Sequence, residues 1–208
     1  MMKLNLPNKL TVLRMCLIPV FLFFMLADFI DPILQRSIAA ALFLGTAITD
    51  MLDGKIARKY NLVTDFGKFL DPLADKLMVF GAFLGLIYMY RGADNAFQLL
   101  LVIASFVVIF RELAVTSLRM VANSASGVVI AANWMGKVKT VSQIVFVMCA
   151  LLEPVVIGKL LGYFIPFFES FAKWQILTNL SMAFMVVMTV WSGINYFKAY
   201  WPHINPEK

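Results

Sequence analysis

The sequence predicts an all-α integral membrane protein, a bundle of six transmembrane helices with a short interfacial helix at its N-terminus, and three observations carry that prediction. Hydrophobic residues make up 62% of the 208 residues and the mean hydropathy is +0.84, against about 45–50% apolar residues in ordinary soluble domains. The apolar residues gather into six runs, each near the ~20 residues that a helix needs to cross the hydrocarbon core. The basic residues are distributed unevenly between the two sets of connections, as the positive-inside rule requires of a multi-pass protein.

Taken in order, Leu4 to Arg14 mixes polar and apolar residues, with Pro7 and Asn8 ahead of Thr11, and predicts a short helix lying at the interface. The first run, 9–30, follows Lys3, Lys9 and Arg14 as a secretory signal would. It ends Met25-Leu26-Ala27-Asp28-Phe29 without a small-x-small cleavage site, so a retained span is expected. The second run, 33–52, is set off by Asp31-Pro32, and the third, 69–90, stops at the polar stretch Tyr90 to Asn95. A fourth run covers 97–120. Between 122 and 135, Asn123-Ser124-Ala125-Ser126-Gly127 ahead of a stretch ending at Trp134 predicts a turn and then an interfacial segment. The fifth run, 140–160, contains Glu153-Pro154, and the sixth, 174–198, is bracketed by Trp174, Trp191, Tyr196, Tyr200 and Trp201 in the manner of interfacial anchors. No internal repeat is evident, so a single domain over 1–208 is expected and an inverted-repeat transporter gains no support.

With both termini cytoplasmic, fourteen of the eighteen basic residues fall on the inner side and only Arg36, Arg91, Lys159 and Lys173 on the outer side. The net charge of +6 therefore reads as membrane sidedness and attraction to anionic lipid, not as a nucleic-acid surface. Cys16 and Cys149, far apart in apolar runs, offer neither metal spacing nor a disulfide framework, and His203 stands alone.

Five of the twelve acidic residues lie between positions 50 and 75. Ionised carboxylates near a bilayer cost several kcal/mol unless paired, hydrated or bound to a cation. On a helix turning about 100° per residue, Asp50, Asp53, Gly54 and Ala57 share one face, and Gly67, Asp71 and Asp75 line a stripe of the next helix. Facing each other, the stripes would bring four carboxylates together beside glycines that let a ligand approach closely. Hard oxygen donors suit Mg²⁺ or Mn²⁺, and a pair of such ions is a recurring device for phosphoryl substitution. Arg58 adds a cation suited to a phosphate. Solvated loop charges paired with Lys55, Lys59, Lys68 and Lys76 would be the bland account. The pattern Asp-x2-Asp-Gly-x2-Ala-Arg-x8-Gly-x3-Asp-x3-Asp specifies eight positions across 26 residues, which chance explains poorly.

Those eight residues match every position of the signature of the CDP-alcohol phosphotransferases, a family that this chain therefore resembles. The resemblance implies a six-helix membrane fold and displacement of CMP from a CDP-linked substrate by an alcohol. It also implies that Asp50, Asp53, Asp71 and Asp75 ligate two divalent ions, with Asp75 the candidate base toward the attacking hydroxyl. Gly54 and Arg58 would meet the nucleotide, along with Ala57, Thr64, Gly67 and the Asn8 to Thr11 segment, where Asn8 and Thr11 supply polar groups.

Elsewhere, Arg111 and Arg119 lie about 80° apart around one helix, and Lys137 and Lys139 open the fifth span, so together they could form a basic pocket for a second phosphate carried by the acceptor. Snorkelling toward anionic lipid is the alternative for each. The start Asn5-Leu6-Pro7-Asn8-x2-Thr11-x2-Arg14, the Arg111-Glu112-x6-Arg119 run and Gly136-Lys137-x-Lys139-Thr140 resemble the bacterial branch of the family that makes phosphatidylglycerophosphate. That implies transfer from CDP-diacylglycerol to glycerol 3-phosphate at the cytoplasmic face of the cell membrane, in a site open to both water and lipid, and by relationship a homodimer. Phosphatidylglycerol or an inositol phosphate as acceptor would keep the same aspartates. A divalent-cation transporter would be expected to place its carboxylates near the midplane, whereas these crowd one end, and an assembly protein without chemistry leaves the spacing unexplained.

Overall fold

The computed structural model describes residues 5–60, 64–126 and 134–201, and within them the chain is helical, with no strand among the described residues. The helices are α1 (Leu6–Leu26), α2 (Pro32–Lys59), α3 (Asp65–Met89), α4 (Asn95–Ser126), α5 (Trp134–Leu152), a π-helical continuation (Glu153–Leu161), α6 (Gly162–Phe164), α7 (Pro166–Lys173) and α8 (Ile176–Tyr200). Six helical stretches are long and apolar enough to cross a membrane. Large apolar side chains such as Leu99, Phe106, Phe110 and Leu180 lie on the outside, the surface expected where the solvent is lipid.

The chain divides into two compact units, one from the stretches 1–93 and 147–176 and the other from 94–146 and 177–208. In the first, α1 packs against both α2 and α3. Each of these helices starts on a sequence-encoded cap: the Asn5 side chain accepts from the Asn8 N–H, Asp31 from the N–H groups of Ile33 and Leu34, and Thr64 from Gly67. Pro7 and Pro32 occupy first-turn positions, where a missing N–H costs nothing. Phe21 of α1 meets Phe43 of α2 with ring centroids 5.7 Å apart, and a Cβ on Gly85 of α3 would collide with Met25 of α1.

Pro154 explains another feature of this unit. Lacking an N–H, it cannot bond the carbonyl of Ala150 one turn earlier. That carbonyl instead accepts from the Tyr90 hydroxyl at 2.7 Å and from Arg36 Nη1 at 3.1 Å, while the helix widens into its π-helical stretch from Glu153. In the second unit, Val115 and Ala122 of α4 are buried with Tyr196 and Tyr200 of α8, and Leu118 packs against them.

Two expectations are corrected. Among the described residues the polar start is not a separate helix: α1 runs without a break from Leu6 to Leu26. Its polar residues Asn8, Thr11 and Arg14 are buried while Leu6 and Leu13 are exposed, so the polar face of this stretch meets protein. The turn expected from Asn123 is instead the end of α4, which runs to Ser126; the interfacial segment expected after it, in 127–133, lies outside the described residues, as does His203. α2 and α3 also extend beyond the apolar runs, to Lys59 and back to Asp65, because helical hydrogen bonding continues past the point where hydropathy falls.

Candidate active site

The spacing Asn8, Thr11, Arg14 puts one residue on the same face of α1 at every turn. Those three side chains reach the acidic ends of α2 and α3. Arg14 donates through Nη1 to Asp50 Oδ1 and through Nη2 to Asp53 Oδ2. Its own side chain is fully buried, that of Asp53 is 6% exposed and that of Asp50 is 42% exposed. A guanidinium suits this position because its planar fork can serve two carboxylates at once. Thr11 Oγ1 donates to Asp71 Oδ1 at 2.7 Å. The Thr64 hydroxyl donates to Asn8 Oδ1 at 3.0 Å and accepts from the Gly67 N–H at 3.1 Å.

Gly67 sits where these elements converge. A Cβ there would stand 3.1 Å from Asn8 Oδ1, 3.4 Å from Thr64 Oγ1 and 3.8 Å from Asp71 Oδ2, so the absence of a side chain is what lets α1 close on the start of α3. Asp75 follows Asp71 by one turn of α3 and is half-buried, and Gly54 follows Asp53 on α2. The side chains of Ala57 and Arg58 lie outside the described residues. The structure therefore brings Asn8, Thr11, Thr64, Gly67, Asp50, Asp53 and Asp71 into one neighbourhood, with Asp50 and Asp71 both within electrostatic reach of Asp53.

The divalent ions that the resemblance implies can be tested against this donor set. Carboxylate oxygens are the hard donors that Mg²⁺ or Mn²⁺ takes, so the residues fit in kind. Arg14 and Thr11 each engage one oxygen of Asp50, Asp53 and Asp71, and a carboxylate has further lone pairs on its second oxygen. The full convergence expected from the two stripes is not reached: among the described residues no three acidic, His or Cys side chains are grouped closely enough to hold one ion. Asp50, Asp53 and Asp71 each find a donor on α1.

In the second unit the four predicted cations have separate fates. Lys139 is buried and its ammonium donates to Glu112 Oε1, which also accepts from Gln143 Nε2 at 3.3 Å. Arg111, 11% exposed, donates through Nη2 to Ser192 Oγ at 2.7 Å and lies 3.6 Å from Glu112 Oε2. Arg111 and Arg119 both stand over the Tyr196 ring, their guanidinium carbons 5.4 and 5.7 Å from its centroid. Lys137 is exposed beside a cavity of about 340 Å³ lined by Trp134, Val141, Val145 and Phe184. Arg111 and Arg119 thus share a location as expected, whereas Lys139 is committed to Glu112 and is withdrawn from the set of available cations.

Sequence reasoning missed Arg14, Glu112 and Tyr196 as site residues. The three-residue period of Asn8, Thr11 and Arg14 was the signal for the first. Glu112 and Tyr196 could be paired with their partners only through the packing of helices distant in sequence.

A family model described as CDP-alcohol phosphatidyltransferase matches residues 4–192. The chain is 41% identical over 207 residues, 95% of each chain, to a Bacillus subtilis (strain 168) protein named CDP-diacylglycerol–glycerol-3-phosphate 3-phosphatidyltransferase. It is 32% identical over 207 residues, 96% of this chain and 97% of the other, to a Yersinia pestis (strain Pestoides F) protein of the same name. A Rickettsia felis protein of that name is 45% identical over 115 residues, 55% of this chain and 58% of its own.

Proposed function

The chain belongs to the CDP-alcohol phosphatidyltransferase family, and from that membership we infer how its residues divide the work of one reaction. The protein is a membrane enzyme that transfers the phosphatidyl group from CDP-diacylglycerol to glycerol 3-phosphate, releasing CMP. The observation that carries the assignment of residues is the placement of three signature aspartates, Asp50, Asp53 and Asp71, under the polar face of α1.

In this reading Asp50, Asp53, Asp71 and Asp75 hold the divalent ions, Mg²⁺ or Mn²⁺ and two in number. Bound there, the ions would supply charge neutralisation of the diphosphate and ease the departure of CMP. Asp75 accepts the proton of the acceptor hydroxyl. The hydroxyl oxygen forms a bond to the phosphorus that carries diacylglycerol, and the bond from that phosphorus to the CMP oxygen breaks. Asn8, Thr11, Gly54, Ala57, Arg58, Thr64 and Gly67 receive the nucleotide end, with Gly67 keeping the backbone accessible. Arg14 holds Asp50 and Asp53 side by side and relieves their repulsion.

Arg111 and Arg119, with Lys137, bind the phosphate of the acceptor, and Lys139 contributes by occupying Glu112. An acceptor without a phosphate would leave the two arginines without a purpose. The aspartate end of the helices and both termini face the cytoplasm, where glycerol 3-phosphate is dissolved and the CDP headgroup of the lipid meets water; the distribution of fourteen basic residues supports this orientation. Association into a homodimer belongs to the same reading by family relationship.

The test is CMP release by purified protein supplied with CDP-diacylglycerol, Mg²⁺ and each candidate acceptor in turn. Release with glycerol 3-phosphate, lost on chelation and restored by Mg²⁺, is the expected outcome. Release that survives complete chelation would overturn the metal assignment, and release with an unphosphorylated alcohol alone would overturn the acceptor pocket.

A further inference from the structure

Two guanidinium groups that share one aromatic ring are an uncommon expense in a membrane helix. Arg111, whose side chain is 11% exposed, and the exposed Arg119 carry like charges, and the burial of Arg111 weakens the screening that water would provide. Their position is nevertheless built in. Tyr196 is 6% exposed and fixed among Val115, Leu118 and Ala122 of α4 and Tyr200, whose ring stacks on it at 6.2 Å and 11°. Gly136 of α5 leaves room for the phenol: a Cβ there would lie 3.2 Å from the Tyr196 oxygen. Gly193 leaves room for the stem of Arg111, with a Cβ there only 3.3 Å from Arg111 Cγ. Ser192 fixes one nitrogen of that guanidinium, while Arg111 Nε is buried without a hydrogen-bond partner among the described residues.

The local charges favour an anionic ligand. Glu112 takes the ammonium of Lys139, leaving the two arginines as surplus cations beside it. Two positive charges and an unused buried donor match a phosphomonoester dianion better than a phosphodiester, which carries one charge.

We propose that Tyr196 is the positioning residue of the acceptor subsite: its ring face holds Arg111 and Arg119 together as a clip that selects a phosphomonoester dianion. The proposal rests on the acceptor reading above. Tyr196 itself does not touch the reacting atoms. It acts by keeping two mutually repelling cations in place before the acceptor arrives, so its loss weakens acceptor binding and leaves the chemical step intact.

The experiment measures initial rates of CMP release by the full-length protein in nanodiscs, with CDP-diacylglycerol and glycerol 3-phosphate varied separately, for the wild type, Tyr196→Phe and Tyr196→Met. Thermal unfolding of each variant reports its fold. The Met variant, which fills space but has no ring face, is expected to raise KM for glycerol 3-phosphate about tenfold, with kcat and KM for CDP-diacylglycerol within about twofold of wild type. The Phe variant keeps the ring and should stay within about twofold throughout. An unchanged acceptor KM in the Met variant would overturn the proposal, as would a tenfold rise in the Phe variant, which assigns the effect to the hydroxyl. Should the Met protein not fold, Tyr196→Leu, which also lacks a ring face, carries the same expected rise of about tenfold, and an unchanged acceptor KM there would equally overturn the proposal. Wild-type protein that uses another alcohol but not glycerol 3-phosphate would instead overturn the acceptor reading itself, and the clip with it.

Discussion

The acidic region of α1, α2 and α3 and the basic region of α4, α5 and α8 solve the same problem in opposite ways. Each places several like charges where helices pack in a membrane protein, and each must offset their repulsion. In the acidic region one buried guanidinium, that of Arg14, serves two carboxylates, and a neutral hydroxyl serves a third. In the basic region the one buried carboxylate, Glu112, is used mainly by Lys139, and the arginines rest on an aromatic ring. The difference separates charges that are neutralised from charges that are merely held. A held charge remains available to a ligand, and a neutralised one has already met its partner.

The strongest way to break this comparison is at Asp71, the one of these three carboxylates served by a neutral hydroxyl and not by the guanidinium. Asp71→Asn keeps the size of the side chain and a hydrogen-bonding oxygen for Thr11, but removes the charge. CMP release should fall by at least about 10²–10³-fold with little change in thermal unfolding. An enzyme that retained its rate would show that Asp71 is structural. Next in size is Arg14→Met, which leaves Asp53 buried without its cation. Breaking such a pair costs about 3–5 kcal/mol, read as a lowered unfolding midpoint in detergent with chelator present. Unchanged stability would mean that Asp53 gains water or another cation, and that the pairing contributes little.

A smaller effect separates Lys139 from the arginines. Lys139→Met strands Glu112 and should lower stability by about 2–3 kcal/mol, and Glu112→Gln combined with Lys139→Met should recover part of it. In that double variant KM for glycerol 3-phosphate should change by less than about threefold if Lys139 is committed to Glu112. A large rise in KM with stability retained would return Lys139 to the acceptor pocket.

The membrane class and the number of spans were legible in the sequence because hydropathy integrates over about 20 residues and tolerates errors in individual positions. The aspartates were legible because their spacing follows helical geometry within two neighbouring segments. Helix ends were less so: hydropathy marks where the chain leaves apolar surroundings, and α2 continues its hydrogen bonds to Lys59 regardless. The continuity of α1 was not legible because Asn8, Thr11 and Arg14 give it a polar face whether that face meets water or, as here, the Thr64 hydroxyl and the carboxylates of other helices. The commitment of Lys139 to Glu112 could not be read from either segment, since the two residues are 27 positions apart and only the packing of α4 against α5 joins them.

The smallest effect is expected where burial is removed from the comparison altogether. Asp28 and Arg91 form an ion pair at 2.6 Å with both side chains about half exposed, and the Tyr88 hydroxyl donates to the same carboxylate oxygen at 2.9 Å. The Tyr88 hydrogen bond, and after it the Arg91 guanidinium, hold the Asp28 carboxyl below the usual carboxylate range. A depressed pKa means that the folded state favours the ionised form, so the contribution to stability is present above the unfolded value of about 4 and is lost as pH falls through the lowered folded value. Asp28→Asn should therefore unfold slightly below the wild type at neutral pH, and the two should converge in acid. Because water and salt screen an exposed pair, raising the ionic strength should shrink the gap at neutral pH while leaving the Arg14→Met deficit largely intact. If salt reduced both equally, burial would not be what distinguishes the charges of this protein, and the contrast between held and neutralised groups would lose its physical basis.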